Sequence, residues 1–409
     1  MLLSRVARRR IFIAGGCAAA GFAIGTRFVK PRVDDEDSLC RPFSSSGFDF
    51  AELLLTAKRT ALFWDHSTQT QGDLERIREW HQRNGFRGGV VVRDSDGVPT
   101  FKDGSGYYMY YEILGSGELT QHVFVRGTAD HGDLLTDLRA SQTPLTLPAG
   151  AGHSERTIAV HRGFAEVARA LHDDLRPLLD ARARVALSGH SMGGAVATLL
   201  AAALKAEGFD VDALVTFGAP RLTDGAGGAI LADVLDRPTG PRAAPTRVLR
   251  VVNEGDPFAS LPPWWWASPV GAAIACALAL AALARAQLAS DGPSRALGST
   301  PAASSDADLH DASSYCHFGP QLLFVAPERC EEPGLSTPRF AYLEGEAPTQ
   351  RYGDGSGFLL GAFVRGLKET GDVNAHRMWA YQSELASCLA PGAVEVRYST
   401  RHARVRSAQ

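Results

Sequence analysis

Residues 185–195 read Val-Ala-Leu-Ser-Gly-His-Ser-Met-Gly-Gly-Ala, an apolar strand that turns through Gly-x-Ser-x-Gly into a helix rich in alanine and leucine. Such a turn strains its serine, and glycines on both sides let the backbone segments approach closely. The serine hydroxyl then lies at a helix N-terminus, where free N–H groups favour developing negative charge. The pattern predicts that Ser191 is a nucleophile and that Gly189 and Gly193 are needed for the turn. A glycine-rich turn without chemistry is the alternative.

The segments around this turn predict an α/β fold. Strand-like residues 213–217 and 246–252 alternate with helical spacing at 162–179 and 192–207. Such alternation indicates a mostly parallel central sheet with helices on both faces. Residues 107–114 and 120–125, joined by a Gly-Ser-Gly turn, predict a β-hairpin.

Composition limits the classes of partner. The chain has 409 residues, of which 45% are hydrophobic and 21% are charged, and its formal net charge is −3. Proteins that bind nucleic acid through its phosphates carry a strongly basic surface. We therefore expect no nucleic-acid partner.

Two segments predict contact with a membrane. Residues 1–32 contain no acidic residue and place basic clusters on both sides of an apolar run, which is typical of a signal, anchor or transit segment. Trp264-Trp265-Trp266 opens an uncharged run that ends at Ala284, close to the ~20 residues that span a bilayer. A single crossing would separate Ser191 from every later residue, so we predict a surface-lying or dipping hairpin. A buried alanine-rich helix is the alternative.

A serine nucleophile needs a base and an acid that orients the base, and in α/β-hydrolases both follow the serine along the chain. Asp256 follows strand 248–252 at its carboxyl end, where catalytic groups of such sheets lie; Glu254 is its nearest rival. For the base, chain order leaves His317 and His376 equally acceptable.

An oxyanion needs two hydrogen-bond donors. One is the backbone N–H of Met192, the residue after the nucleophile. The second should come from the loop after strand 123–125.

The chain resembles the class 3 lipases, which include the fungal triacylglycerol lipases and have the α/β-hydrolase fold. The matching blocks span roughly residues 105–390. They are, in order, Phe124-Val125-Arg126-Gly127-Thr128, residues 133–138, Val160-His161-Arg162-Gly163-Phe164, residues 189–195, Thr216-Phe217-Gly218-Ala219-Pro220-Arg221, residues 250–257, Leu261-Pro262-Pro263 and Tyr315-Cys316-His317. Several blocks in one order are far more specific than the serine turn alone.

The resemblance implies roles for individual residues. Ser191 would be the nucleophile, Asp256 the acid and His376 the base, while the Tyr315-Cys316-His317 block precedes a strand and does not supply the base. Thr128 matches the residue that completes the oxyanion hole with Met192.

The resemblance also implies two structural features. The family's lid falls between Leu138 and Val160, where the prolines and glycines of this chain predict a loop. Cys40 and Cys388 lie where fungal relatives have a disulfide that joins the termini.

These observations predict four regions and one function. The regions are a targeting or anchor segment (1–33), a helical and linker region (34–104), a catalytic domain (105–390) with an insertion (264–314), and a C-terminal tail (391–409). The expected function is a serine carboxylester hydrolase that cleaves acylglycerols or related lipid esters through an acyl-enzyme. It would act at a membrane or lipid-droplet surface, in the secretory pathway or an organelle, without a metal or cofactor. A phospholipase A1, an acyltransferase with the same triad, and an inert membrane-anchored scaffold are the alternatives.

Overall fold

The computed structural model describes residues 40–62, 79–83, 90–93, 107–113, 119–126, 142–148, 154–238, 244–254, 256, 258–260, 315, 317–325, 339–343, 376–391, 393–398 and 403–405. The chain divides into two compact units, residues 32–262 with 316–409, and residues 1–31 with 263–315. Only Tyr315 of the second unit is described, so the architecture is that of the first.

The first unit contains thirteen described strands, and bounds are described for five of its α-helices. The strands are β1 (Cys40–Arg41), β2 (Val90–Arg93), β3 (Tyr107–Ile113), β4 (Leu119–Val125), β5 (Gln142–Leu147), β6 (Arg156–His161), β7 (Arg184–His190), β8 (Asp210–Phe217), β9 (Arg247–Asn253), β10 (Gln321–Phe324), β11 (Arg339–Leu343), β12 (Val394–Tyr398) and β13 (Ala403–Val405). The helices are α1 (Phe50–Ala61), α2 (Arg162–Leu175), α3 (Met192–Ala206), α4 (Gly225–Asp236) and α5 (Met378–Cys388).

Eleven of the described strands form one sheet, in the order β13-β12-β11-β10-β9-β8-β7-β4-β3-β2, and β1 pairs with β11. The central strands β4, β7, β8, β9 and β10 are parallel neighbours. Antiparallel pairs flank them, β10 with β11 on one side and the β2–β3–β4 meander on the other. The predicted mostly parallel sheet and the predicted β3–β4 hairpin are confirmed.

Both faces of this sheet are covered by helices. Ala213, Val215 and Phe217 of β8 pack on one face in a cluster with residues of α1 and α5. Leu214 points to the other face and packs in a cluster with residues of α2, α3 and α4. Because side chains alternate along a strand, a segment buried on both faces is mainly apolar, as residues 213–217 of β8 are. The predicted two-sided α/β arrangement is confirmed.

Helices α1 and α3 differ in composition because their surroundings differ. Asp49 caps α1, its carboxylate accepting the Glu52 N–H at 2.8 Å. Its buried residues Leu53, Ala57 and Ala61 recur every four positions and form one apolar stripe. Helix α3 is buried along almost its whole length, and its small alanines allow close packing. It therefore places its N-terminus, next to Ser191, in the interior.

Residues 142–147 and 156–161 form a pair of strands, and the prediction of a loop at the lid position is wrong there. Strands β5 and β6 pair antiparallel. Leu145 and Leu147 of β5 and Ile158 and Val160 of β6 are buried. This alternation is the strand signal, and Pro144 is tolerated because a two-stranded sheet has only edge strands.

The main sheet extends beyond the predicted catalytic domain of 105–390. Strand β2 lies in the predicted linker region and pairs with β3. Strand β12 lies in the predicted tail, pairs with β11 and in turn with β13. Strands on the outer side of the boundaries predicted at 104/105 and 390/391 therefore complete this sheet.

The segments that predict membrane contact, residues 1–33 and 264–284, lie outside the described residues. Within the described ranges no helix combines the length and apolarity needed to cross a bilayer.

Cys388 is a buried free thiol at the end of α5. It packs in the apolar cluster with α1, and burial and the nearby Glu384 raise its pKa to about 12. The expected Cys40–Cys388 disulfide is therefore not formed. Position relative to the chain ends was its only support, whereas a disulfide needs two facing Cβ atoms.

We expect acid to destabilise the fold partly through His161. This residue precedes α2, is fully buried with its ring 4.2 Å from that of Phe164, and burial lowers its pKa from 6.5 to about 4. In the unfolded chain the His161 ring therefore binds a proton below about pH 6.5, whereas in the folded chain it binds one only below about pH 4. This difference removes about 2 kcal/mol of stability between pH 7 and pH 5.

Urea unfolding of wild type and His161→Gln at the two pH values checks this. The variant should lose about 2 kcal/mol less than wild type over the same interval. An equal loss in both proteins would show that His161 does not titrate as burial requires.

Candidate active site

The turn between β7 and α3, residues Gly189–Gly193, is named the elbow. Ser191 lies at its apex with φ 55° and ψ −133°, and it is the one non-glycine residue with positive φ in the described part of the chain. Such a conformation costs about 1–3 kcal/mol and persists only where the surroundings enforce it. The N–H of Ser191 donates to the Phe217 carbonyl at 2.9 Å, which ties the elbow to β8. Packing therefore holds the predicted nucleophile in a strained backbone.

Both predicted glycines occupy positions without room for a side chain. A Cβ on Gly189 would collide with the carbonyl of Gly193. A Cβ on Gly193 would lie 2.5 Å from the carbonyl oxygen of Val125, closer than real Cβ contacts. The strand, the helix and the end of β4 approach so closely that only glycine fits at either position.

Asp256 follows β9 and is completely buried. Its Oδ2 accepts the Tyr381 hydroxyl at 2.5 Å and lies 2.8 Å from Nδ1 of His376. Its Oδ1 accepts the Phe258 N–H at 2.8 Å. A buried carboxylate is costly unless hydrogen-bonded, and these contacts satisfy both of its oxygens.

Of the two candidate histidines, His376 is the one that contacts the Asp256 carboxylate. It lies two residues before α5, and its ring is completely buried, 4.2 Å from the Phe258 ring between centroids. Since a carboxylate only accepts, Nδ1 carries the proton in this contact and Nε2 of the neutral ring is the basic nitrogen. His317 lies elsewhere, with Nε2 2.7 Å from the carbonyl oxygen of Ala259.

Gly218, at the end of β8, leaves room for the side chains of Asp256 and His376 because it has no side chain of its own. Its φ is 55°, and a Cβ there would lie 2.5 Å from Asp256 Oδ2 and 3.1 Å from His376 Nδ1. The left-handed backbone and the close approach both require glycine. Ser191, Gly218 and Asp256 thus follow the neighbouring parallel strands β7, β8 and β9, whose carboxyl ends meet at one edge of the sheet.

Of the two predicted oxyanion residues, one is described. Met192 is buried as the first residue of α3, so its N–H lies in the first turn of that helix. Thr128 lies outside the described residues. Arg126, two positions before it, is described, and a Cβ on Gly193 would lie 2.7 Å from the Arg126 carbonyl carbon. The main chain of Arg126 therefore lies directly beside the elbow.

Tyr381 should stabilise the fold through its bond to Asp256. Burial, followed by the charge of Asp256, raises the pKa of this phenol well above its usual value, so it stays a donor. Tyr381→Phe should cost about 1–3 kcal/mol of unfolding free energy, because the buried carboxylate loses a donor. Urea unfolding measures this. In an Asp256→Asn background the same change should cost clearly less, and an equal cost in both backgrounds would contradict the assignment.

Sequence reasoning missed three neighbours of the Asp256–His376 pair, namely Tyr381, Phe258 and His190. Tyr381 lies one turn into α5, where its hydroxyl reaches Asp256. Its position five residues after His376 is a weak signal. Nothing local distinguishes Phe258 or His190, because their contacts depend on tertiary packing.

Residues 122–265 match the family model described as Lipase (class 3). The predicted class 3 lipase resemblance is confirmed for this segment. The segment includes residues 122–125 of β4, the elbow and Asp256, whereas His376 lies C-terminal to it.

A curated relative extends this finding. The secreted mono- and diacylglycerol lipase 1 of Fusarium solani is 32% identical over 147 residues, 34% of this chain and 39% of the relative. The match thus spans about two fifths of the relative's length.

Among solved structures, Lip2 lipase of Yarrowia lipolytica is similar with a TM-score of 0.45 and 17% identity, over 76% of this chain and 91% of that one. Lipase II of Rhizopus niveus is similar with a TM-score of 0.45 and 14% identity, over 78% of this chain and 92% of that one.

Proposed function

We propose that this protein is a serine carboxylester hydrolase that cleaves acylglycerols, with Ser191, His376 and Asp256 as its triad. The observation that carries the proposal is the buried Asp256–His376 contact of 2.8 Å beside a strained serine at a strand-to-helix turn. An acid that orients a histidine, and a serine displayed at an elbow, are the parts that acyl transfer requires.

The chemistry follows from these positions. Ser191 Oγ attacks the ester carbonyl while Nε2 of His376 accepts its proton, and the carbonyl electrons move onto the oxyanion. The N–H of Met192 and the residues around Thr128 stabilise that oxyanion; one such donor is worth about 3–4 kcal/mol. Collapse expels the alcohol, which takes the proton from His376 and leaves an acyl-serine. Water, deprotonated by His376, then attacks the acyl-serine carbonyl; the bond to Ser191 Oγ breaks, the fatty acid leaves, and His376 returns the proton to Ser191 Oγ.

Asp256 acts by holding the imidazole. Its Oδ2 keeps the proton on Nδ1 and stabilises the imidazolium that forms when Nε2 accepts a proton. Tyr381 and the Phe258 N–H fix the carboxylate in turn. Since Asp256 and His376 are both fully buried, this interaction is little screened by water.

Three observations support a lipid ester as substrate. The segment around the elbow matches the class 3 lipase model, and the Fusarium solani relative is named as a mono- and diacylglycerol lipase. Trp379, three residues after His376, is 56% exposed although it is a large apolar side chain. Amphipathic rings of this kind suit a lipid–water interface. We propose that the enzyme works at such a surface, with residues 1–33 and 264–284 as further contacts.

The test compares wild type with Ser191→Ala on a nitrophenyl butyrate, and on mono-, di- and triacylglycerol and phosphatidylcholine dispersions. We expect wild type to release fatty acid from acylglycerols, and the variant to lose at least about 10⁴-fold in kcat. A fluorophosphonate should label Ser191 of the wild type alone.

Other results would redirect the assignment. Faster cleavage of phosphatidylcholine would indicate a phospholipase, and ester formation with an added alcohol would indicate an acyltransferase. Absence of labelling at Ser191 would refute a serine hydrolase and leave the scaffold.

A further inference from the structure

His190, the last residue of β7, contacts the main chain of His376. Its Nε2 lies 2.5 Å from the carbonyl oxygen of His376, and only 1% of the residue is exposed. The centroids of the two rings are 4.6 Å apart, with planes inclined at 36°. His190, the residue before the predicted nucleophile, is thus hydrogen-bonded to His376, the predicted base, although the two are 186 positions apart.

The direction of this bond is set by chemistry. A carbonyl oxygen only accepts, so Nε2 of His190 carries the proton and donates it. In a buried site such a bond is little weakened by water, and losing it leaves a buried carbonyl without that donor. The bond therefore restricts where the main chain of His376 can lie.

The contact complements the one made by Asp256. Asp256 Oδ2 sets the ring of His376 through Nδ1, whereas His190 holds the peptide from which that ring extends. A ring anchored at one nitrogen still moves if its backbone shifts. Anchors on both the ring and the backbone define the position of Nε2, the atom that must reach Ser191.

The elbow makes this anchor rigid with respect to the nucleophile. Ser191 N–H donates to Phe217 O at 2.9 Å, and the adjacent His190 ends the strand paired with β8. One short segment of β7 thereby locates both Ser191 and the backbone of His376. Any motion of that segment would carry both groups together.

We propose that His190 is a positioning residue. The hydrogen bond from its Nε2–H to the His376 carbonyl fixes the position of the general base relative to Ser191. This proposal rests on the proposed function, because it assigns His376 that role. Misplacing a catalytic group by about 1 Å costs up to about 100-fold in rate, whereas substrate binding depends on other residues.

The test compares three variants that differ in the donor. His190→Leu fills part of the space without a donor, His190→Gln offers an amide N–H near the Nε2 position, and His190→Asn offers one that is too short. Kinetics on a nitrophenyl butyrate are expressed per site titrated with fluorophosphonate, so loss of folded protein is removed from kcat.

We expect His190→Leu and His190→Asn to lower kcat about 10- to 100-fold with KM within about twofold. His190→Gln should restore kcat to within about threefold of wild type. An unchanged kcat per titrated site in His190→Leu, or an equal loss in His190→Gln, would overturn the proposal. If His190→Leu does not fold, the pair of Gln and Asn variants decides between these outcomes.

A second measurement does not depend on ester turnover. The proton on Nδ1 of His376, held by Asp256, should give a downfield proton resonance that moves in His190→Asn and not in His190→Gln. If the proposed function fails, the wild type will be inactive and unlabelled. If only this inference fails, the wild type will be active and the Nδ1 proton resonance will be the same in all variants at position 190.

Discussion

Replacing His376 by alanine should lower kcat by about 10⁴-fold or more, whereas His317→Ala should stay within about tenfold of wild type. His376 Nδ1 lies 2.8 Å from Asp256 Oδ2, which leaves Nε2 as the nitrogen that can accept the serine proton. The His317 ring instead contacts the carbonyl of Ala259 at 2.7 Å, so its replacement should affect the reaction through that loop.

The measurement is kcat and KM on a nitrophenyl butyrate, with urea unfolding as the control for folding. His317→Ala serves as the matched control, because it removes an equal side chain from the neighbourhood of the same loop. Full activity in His376→Ala, with activity lost in His317→Ala, would reverse the assignment of the base.

Asp256→Asn should lower kcat by about 10³- to 10⁴-fold with KM nearly unchanged. The carboxylate accepts from His376 Nδ1, Tyr381 OH and Phe258 N–H. An amide has one oxygen, so its NH₂ must face either the first two donors or the third. In the first orientation His376 must accept at Nδ1, which places its proton on Nε2 and removes the base. In either orientation the negative charge that stabilises the imidazolium is lost.

Glu254→Gln is the matched control, because Glu254 is the nearest rival acid two residues away. It should retain kcat within about threefold, since no charge beside His376 changes. A large loss in Glu254→Gln together with a small loss in Asp256→Asn would move the acid to position 254.

Chain order leaves two choices open, between Asp256 and Glu254 for the acid and between His317 and His376 for the base. Both have the same physical origin. Asp256 and His376 are 120 positions apart, and nothing in either local sequence encodes their contact. The class 3 lipase resemblance indicates His376. The structure brings its Nδ1 to Asp256 because Gly218, with its positive φ, leaves room beneath both side chains.

The corrected predictions concern weak local signals. Prolines suggested a loop at 142–148, yet the buried alternation of Leu145 and Leu147 forms β5. The predicted C-terminal tail supplies β12 and β13, because a short strand becomes recognisable only when its partner, β11, is known.

Local sequence was sufficient for the elbow, the alternation of strands and helices from α2 to β9 and the two-sided burial of the sheet. These features follow from backbone geometry, which restricts Ser191, Gly189 and Gly193, and from the period of apolar residues along each strand and helix. Tertiary structure alone selects the partners of Asp256 and brings His190 to the main chain of His376. Those contacts join residues far apart in the chain, and their distances depend on how β7, β8, β9 and α5 pack together.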